Sequence, residues 1–218
     1  VGYPKGAIWE YLMTLANSNY EDWRLANPNE DIDNFKFSFS KMSKAGALFD
    51  MVKLADVSKN YICRLSAEEV YEMVSDWAKE NNKKLYKLLV DDEEYAKAIF
   101  AIERGNAKPR KDISAWTDVE NYVSYFYSEL WDRKFDFPDN LSNDDMIEIL
   151  ELYKQIYDEN VSSDDWFPQV RDMAETIGYA KAPKVYKKDP DSYKGHVGDV
   201  AGVIRVAATG RRNTPDLY

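Results

Sequence analysis

Apolar residues recur three or four positions apart along most of this chain, which is the spacing of one helix face. Polar stretches such as Asn17–Asn19 and Asn27–Asn29 separate the runs. The clearest runs carry Ile8, Tyr11, Leu12 and Leu15; Val70, Met73, Val74 and Trp77; Tyr95, Ala98, Ile99 and Ile102; Met146, Ile149, Leu150 and Tyr153; and Val200, Val203, Ile204 and Ala207. We therefore predict a mostly α-helical fold.

Several runs begin at residues that commonly cap helices. Ser66 with Glu69, and Thr117 with Glu120, have the spacing of a capping box, in which the side chains at the two positions satisfy free backbone N–H groups. Further predicted start positions are Asp91 or Asp92, Ser142, and Ser162 or Ser163, and the last helix is predicted over about 196–209. Gly105 and Gly210 are placed to end helices.

One stretch departs from the helical pattern. Phe35, Phe37 and Phe39 alternate with polar residues, which predicts a short half-buried strand. The polar loop Lys41-Met42-Ser43-Lys44 follows, with Gly46 just beyond. Two ammonium groups and a hydroxyl on one turn suit a polyphosphate ligand, although a solvated turn has the same composition.

A second break lies at 134–140, where a proline interrupts the pattern. We place a subdomain boundary there, between regions 66–137 and 138–218, and we predict 1–65 as a separate region. The aromatic residues at 122–131 keep helical spacing, which favours a place in the core over a base-stacking surface.

Composition excludes several kinds of site. The 218 residues include one cysteine, Cys63, and one histidine, His196, so an internal disulfide, a cysteine-based zinc site and a multi-histidine site are ruled out. We expect no metal site, a buried Cys63 and a structural His196. No segment has the roughly 20 apolar residues of a membrane span, and we predict a cytoplasmic protein.

The net charge of −10 argues against a nucleic-acid partner unless the cations are grouped. They are grouped in three places: Lys108, Arg110 and Lys111; Lys181, Lys184, Lys187 and Lys188; and Arg205, Arg211 and Arg212. Each group fits either a solvated surface or an RNA contact.

Four strings resemble the glutamyl-tRNA synthetases, which are class I aminoacyl-tRNA synthetases, and they occur in the family's order. They are residues 11–23, the lysine loop with its continuation over 41–50, and the closing strings 195–205 and 209–216. The resemblance implies that Lys41 and Lys44 contact ATP phosphates and that residues 41–44 form the ATP-binding loop, with Mg²⁺ present in the full-length enzyme. Ala45 stands where the family often has serine or arginine.

By this resemblance, the chain is the C-terminal part of an enzyme that attaches glutamate to its tRNA through glutamyl-adenylate. Region 1–65 would contact the tRNA stem, and two helical subdomains, 66–137 and 138–218, would bind the anticodon. The catalytic nucleotide-binding domain is missing, so we expect no turnover, no ATP bound to this chain alone and a monomer. The expected tRNA contacts are Lys108, Arg110, Lys111, Arg205, Arg211 and Arg212. Two alternatives remain open: an enzyme that also charges glutamine tRNA, and a helical protein-interaction scaffold.

Overall fold

A computed structural model describes residues 2–42, 46 and 48–218 of the chain. The chain divides into two compact units, Val1–Trp131 and Asp132–Tyr218. This division lies a few residues before the proline-containing break at 134–140.

The described part of the first unit is helical. Its α-helices are α1 (Lys5–Ala16), α2 (Tyr20–Ala26), α3 (Met51–Ile62), α4 (Ala67–Asn81), α5 (Lys83–Asp91), α6 (Glu93–Ala101) and α7 (Val119–Val123). Its 3₁₀ turns are Ile32–Asn34, Phe39–Lys41, Trp116–Asp118 and Ser124–Phe126.

Two apolar clusters hold this unit together. The larger packs α4 to α7 around fully buried side chains that include Val70, Val74, Leu85, Leu89 and Val123. The smaller joins α1 to α3 through Tyr11, Leu54 and Val57. Gly6 is needed at this junction because a Cβ atom there would collide with the ring of Tyr61.

The second unit packs three long helices around one core. They are α8 (Asn143–Ile156), α9 (Ser163–Thr176) and α11 (Val197–Thr209), with Ile149, Val170 and Val200 buried between them. The strands β1 (Tyr179–Ala180) and β2 (Gly195–His196) pair in parallel, with Tyr179 opposite Gly195. Between them lie the one-turn helix α10 (Pro183–Tyr186) and a 3₁₀ turn at Pro190–Ser192. The prediction of a mostly α-helical fold is confirmed.

Most of the predicted helix starts are observed. Ser66 and Glu69 form the full capping box, and the side chains of Asp92, Ser142 and Ser162 accept backbone N–H groups of the helices that follow them. His196 caps α11, because its Nδ1 accepts the N–H of Gly198 at 3.0 Å. Gly210 ends that helix with a left-handed φ of 79°.

The predicted strand at Phe35–Phe39 is wrong. Phe35 and Ser38 have extended backbones, but residues 36–38 pair with no strand and lead into the 3₁₀ helix Phe39–Lys41. Only Phe35 is buried, against the rings of Tyr20 and Trp23 at centroid distances of 5.0 and 5.3 Å. The carbonyl of Ser38 accepts the side-chain amide of Asn17, so this polar group bonds to the end of α1 rather than to a neighbouring strand.

The predicted capping box at Thr117 and Glu120 is also wrong. The Asp118 carboxylate accepts the N–H groups of Ser114 and Ala115 at 2.9 and 3.0 Å, and the chain enters α7 through a 3₁₀ turn. The helix ends at Val123, where the Ser124 hydroxyl donates to the Asn121 carbonyl at 3.0 Å and the 3₁₀ turn Ser124–Phe126 begins. The aromatic residues still reach the core, as predicted: Tyr127 is buried, and Tyr122 and Phe126 pack against the larger cluster.

Candidate functional site

The lysine turn is anchored to the end of α1. The N–H of Ser18 donates to the carbonyl of Lys41 at 3.1 Å, and the buried Asn17 side chain donates to the carbonyl of Ser38 at 2.8 Å. The side chains of Lys41 and Met42 are exposed. Ser43 and Lys44, the other members of the predicted ATP-binding loop, lie outside the described residues. The structure therefore fixes the main chain at Lys41 and leaves its ammonium group in solvent.

Arg110 is already paired within its own loop. Its Nε and Nη2 atoms donate to both oxygens of Asp112, at 2.6 and 3.0 Å, and Nε lies 3.6 Å from a Glu103 oxygen. These hydrogen bonds, with the two nearby carboxylates, raise the pKa of Arg110 above its usual range. Lys108 and Lys111 are exposed and form no ion pair with any described residue. In this loop the lysines, more than Arg110, have charge available for a partner.

Arg205 holds the C-terminal segment against α11. Its Nη1 donates to the Thr214 hydroxyl, the Thr214 carbonyl at 3.2 Å and the Pro215 carbonyl at 2.6 Å. Thr214 is itself buried. The contacts of Arg205 therefore show a structural role for this residue.

Arg212 holds the segment after Asp132 in the same way. It donates to the carbonyls of Asp136 and Phe137 at 2.9 and 2.6 Å, and its Nη2 lies 3.0 Å from the Asp136 carboxylate. The neighbouring Arg211 is half-buried, and its N–H donates to the Thr209 hydroxyl. Of the six cations expected to contact tRNA, at least Arg110, Arg205 and Arg212 are thus paired with groups of the chain itself, and Arg211 also interacts with the chain.

A further cationic group was not among the predicted site residues. Lys184, Lys187 and Lys188 are all exposed, and within the part of the chain that the structure describes none of them forms an ion pair. Helical hydrogen bonds continue past α10, from Lys187 N–H to Pro183 O and from Lys188 N–H to Val185 O, so the three lysines share one side of the turn. The lysine-rich run at 181–188 is the feature of the sequence from which this group could have been predicted.

A groove of about 510 Å³ lies beside a buried ionic network in the first unit, lined by Trp9, Arg24, Tyr61 and Arg64 among others. Glu10, only 5% exposed, accepts from Arg64 at 2.6 Å and lies 3.1 Å from Arg24. Both guanidinium groups also donate to backbone carbonyls. Because the charges of Arg24 and Arg64 are paired with Glu10 and their N–H groups already donate within the chain, the groove is a weak candidate for an anion site.

Two kinds of feature are absent from residues 2–42, 46 and 48–218. Among those residues, no group of three or more histidine, cysteine, aspartate or glutamate side chains is arranged to hold a metal ion. None of the helices described there is long and apolar enough to cross a membrane.

The chain is similar over its whole length to proteins named glutamate–tRNA ligase, another name for glutamyl-tRNA synthetase. It is 44% identical over 218 residues to the protein of Acetivibrio thermocellus, 43% over 221 residues to that of Clostridium perfringens strain 13, and 43% over 219 residues to that of Sorangium cellulosum. All of this chain is covered in each comparison, against 40, 40 and 38% of the relative. No protein-family profile matches the chain. The resemblance inferred from the lysine loop and the closing strings is confirmed: this chain is, over its whole length, a homologue of about two fifths of a glutamate–tRNA ligase.

Proposed function

We propose that this chain is the tRNA-binding, anticodon-reading part of a glutamate–tRNA ligase, which joins glutamate to its tRNA using ATP through glutamyl-adenylate. The observation that carries the proposal is the 43–44% identity over the entire chain to proteins with that name. The helical architecture supports it. Residues 1–65 would contact the tRNA stem, and regions 66–137 and 138–218 would bind the anticodon. The protein would act as a monomer in the cytoplasm, where tRNA is charged.

In this proposal Lys41 and Lys44 contact the phosphates of ATP, with Met42 and Ser43 completing the loop. Positioned ammonium groups stabilise the negative charge that moves onto pyrophosphate as the adenylate forms, which is electrostatic catalysis. The residues that hold the rest of the nucleotide and its Mg²⁺ would lie in a catalytic domain outside this chain. The chain alone is therefore expected to show no glutamate-dependent exchange between ATP and pyrophosphate, and measurable exchange would refute this assignment.

For tRNA we propose contacts by Lys108, Lys111 and Arg211, and we add the exposed group Lys184, Lys187 and Lys188. Arg110, Arg205 and Arg212 would act mainly by shaping the surfaces that carry these cations. Contacts with phosphates release counterions, so affinity is expected to fall steeply as salt rises.

The test is binding of the chain to purified glutamate and glutamine tRNAs across a salt series. We expect salt-sensitive binding that is stronger for glutamate tRNA. Equal binding of both tRNAs would favour an enzyme that also charges glutamine tRNA. No binding at low salt would refute autonomous tRNA recognition and favour the protein-interaction scaffold.

Charge reversal then tests the residues. Lys108→Glu combined with Lys111→Glu is expected to weaken binding and to reduce the salt slope by about two, because two phosphate contacts are lost. The matched control is Lys87→Glu with Lys154→Glu, which changes the net charge equally at two exposed lysines outside the proposed contacts. Equal losses for both pairs would show that only net charge matters and would refute the assigned contacts.

A further inference from the structure

A second cavity, of about 240 Å³, adjoins the buried ionic network of the first unit. Its walls come from α1, α2, α3 and the loop at Pro109, and it shares Glu10, Arg24 and Arg64 with the groove described above. A cavity of about 150 Å³ is large enough for a benzene ring. This one, which we call the α1–α3 cavity, therefore has room for a ring with a short side chain.

Most of the accessible wall of this cavity is apolar. It is formed by Tyr20, Leu25, Pro28, Val57 and Pro109. Tyr20 and Val57 are buried in the fold, and the ring of Tyr20 packs edge-on against that of Phe35 at 5.0 Å. Core packing thus fixes this part of the wall before any ligand binds. A preformed, mostly apolar cavity with a few polar groups is the usual form of a small-molecule site.

The hydrogen-bond donors at the cavity are largely used within the chain. Arg24 and Arg64 both pair with Glu10, and their other N–H groups donate to backbone carbonyls. The thiol of Cys63 donates to the carbonyl of Asn60 at 3.3 Å. An anionic ligand would therefore find few free donors in the α1–α3 cavity.

The polar groups that remain are acceptors. Asp56 forms no ion pair with any residue in the ranges that the structure describes, and only the amide of Asn60 donates to it, at 3.4 Å. Glu21, another carboxylate of the lining, is by contrast paired with Lys53 at 2.5 Å. The Thr14 hydroxyl donates to a carbonyl of its own helix, which leaves its oxygen free to accept. The cavity therefore offers an unpaired carboxylate and a neutral acceptor oxygen beside an apolar wall.

We propose that the α1–α3 cavity binds a small cationic amine with an apolar body, with the ammonium group at Asp56 and the apolar body against Leu25 and Val57. A protonated primary amine supplies three donors to the acceptors and the positive charge that Asp56 lacks. Its apolar body leaves water as it enters the wall, which favours binding. The lining includes no residue of the lysine turn and none of the cations proposed to contact tRNA, so this inference does not depend on the proposed function.

Isothermal titration calorimetry of the 218-residue chain at neutral pH tests the chemistry of the ligand with three probes. Phenethylamine has both the ammonium group and the apolar ring, phenylethyl alcohol keeps the ring without the charge, and ethylamine keeps the charge without the ring. We expect phenethylamine to bind at least roughly tenfold more tightly than either of the other two. Equal affinity for phenylethyl alcohol, or no binding of phenethylamine at millimolar concentration, would overturn the proposal.

Two substitutions at exposed positions then test the site, each with a matched control. Asp56→Asn and Leu25→Ala alter the lining, whereas Asp22→Asn and Leu12→Ala make the same changes at exposed residues outside it. We expect Asp56→Asn to weaken phenethylamine binding about fivefold, as loss of an exposed ion pair would, and to leave phenylethyl alcohol binding unchanged. Leu25→Ala should weaken the binding of both ring compounds, and the two controls should bind as the parent chain does. Equal losses for Asp56→Asn and Asp22→Asn would show only a general attraction of cations to an acidic chain and would overturn the assigned site.

Discussion

Replacing Glu10 with glutamine tests the buried ionic network that joins α1 to α2 and to the residues just after α3. The substitution keeps the size of the side chain and removes the negative charge that Arg24 and Arg64 share. The Glu10 side chain is 6% exposed, and those of the two arginines are 12 and 18% exposed, so solvent can replace little of the lost charge.

The expected cost follows from the contacts. A hydrogen bond to a charged group contributes about 1.5 to 3 kcal/mol, and removing one partner of a buried ion pair costs about 3 to 5 kcal/mol. Here the two arginines keep carbonyl acceptors, at Asn27 and Glu30 for Arg24 and at Asn60 for Arg64, which places the cost at the lower end. We expect the free energy of unfolding of the first unit to fall by about 3 kcal/mol, roughly 150-fold in the folding equilibrium.

Urea unfolding followed by circular dichroism measures this change from the shift in midpoint at constant slope. Glu21→Gln is the control, because it removes an ion pair of 2.5 Å with Lys53 at a carboxylate that is 55% exposed, and it should cost less than about 1 kcal/mol. If the two variants differed by less than 1 kcal/mol, the buried network would not hold these three segments together in the way proposed here.

Three further substitutions test local features of the two units. Ser66→Ala removes the capping box of α4 and should cost about 1 kcal/mol in urea unfolding, whereas a change below 0.3 kcal/mol would show that the cap is dispensable. Burial raises the pKa of Tyr127 to about 12, so this residue favours the folded state up to pH 10 and loses that contribution as the pH rises to about 12. Its hydroxyl is buried without a hydrogen-bond partner among the described residues. Tyr127→Phe should therefore raise the free energy of unfolding at neutral pH by about 1 kcal/mol and reduce the fall in stability between pH 10 and 12. A lower melting temperature of the variant at neutral pH would contradict this. Gly210→Ala forces a side chain into a left-handed conformation and should lower the stability of the second unit by about 1 kcal/mol, measured against Gly202→Ala, which has open space at the added methyl group.

Features that depend on neighbouring residues, such as helix caps, were predicted correctly more often than features that depend on residues far apart in the sequence. The caps at Ser66, Asp92 and Ser162 bond to N–H groups three residues away, and all three were predicted from the sequence, the last two each as one of two neighbouring residues. The phenylalanine alternation predicted a strand because the pattern does not show whether a second strand is available. In the fold, the end of α1 is the neighbour instead.

The candidate site shows the same limit. The sequence located the cationic groups but did not distinguish surface cations from structural ones. The main-chain acceptors of Arg212 lie 75 and 76 residues away, at Phe137 and Asp136, and no local pattern connects them. Lys184, Lys187 and Lys188 were recognisable as a run, while their common exposure on one side of a turn required the structure.

The hydrogen bonds that tie the lysine turn to the end of α1 have a thermodynamic consequence. Ordering the main chain of one residue costs about 1 to 2 kcal/mol in conformational entropy. In the lysine turn that cost is met during folding, through the bonds from Ser18 to the Lys41 carbonyl and from Asn17 to the Ser38 carbonyl. In the role proposed for Lys41, only its side-chain rotamers would remain to be fixed when the full-length enzyme binds ATP, so we expect Asn17→Ala, which loosens the anchor, to weaken the ATP affinity of that enzyme without removing any group proposed to touch the phosphates.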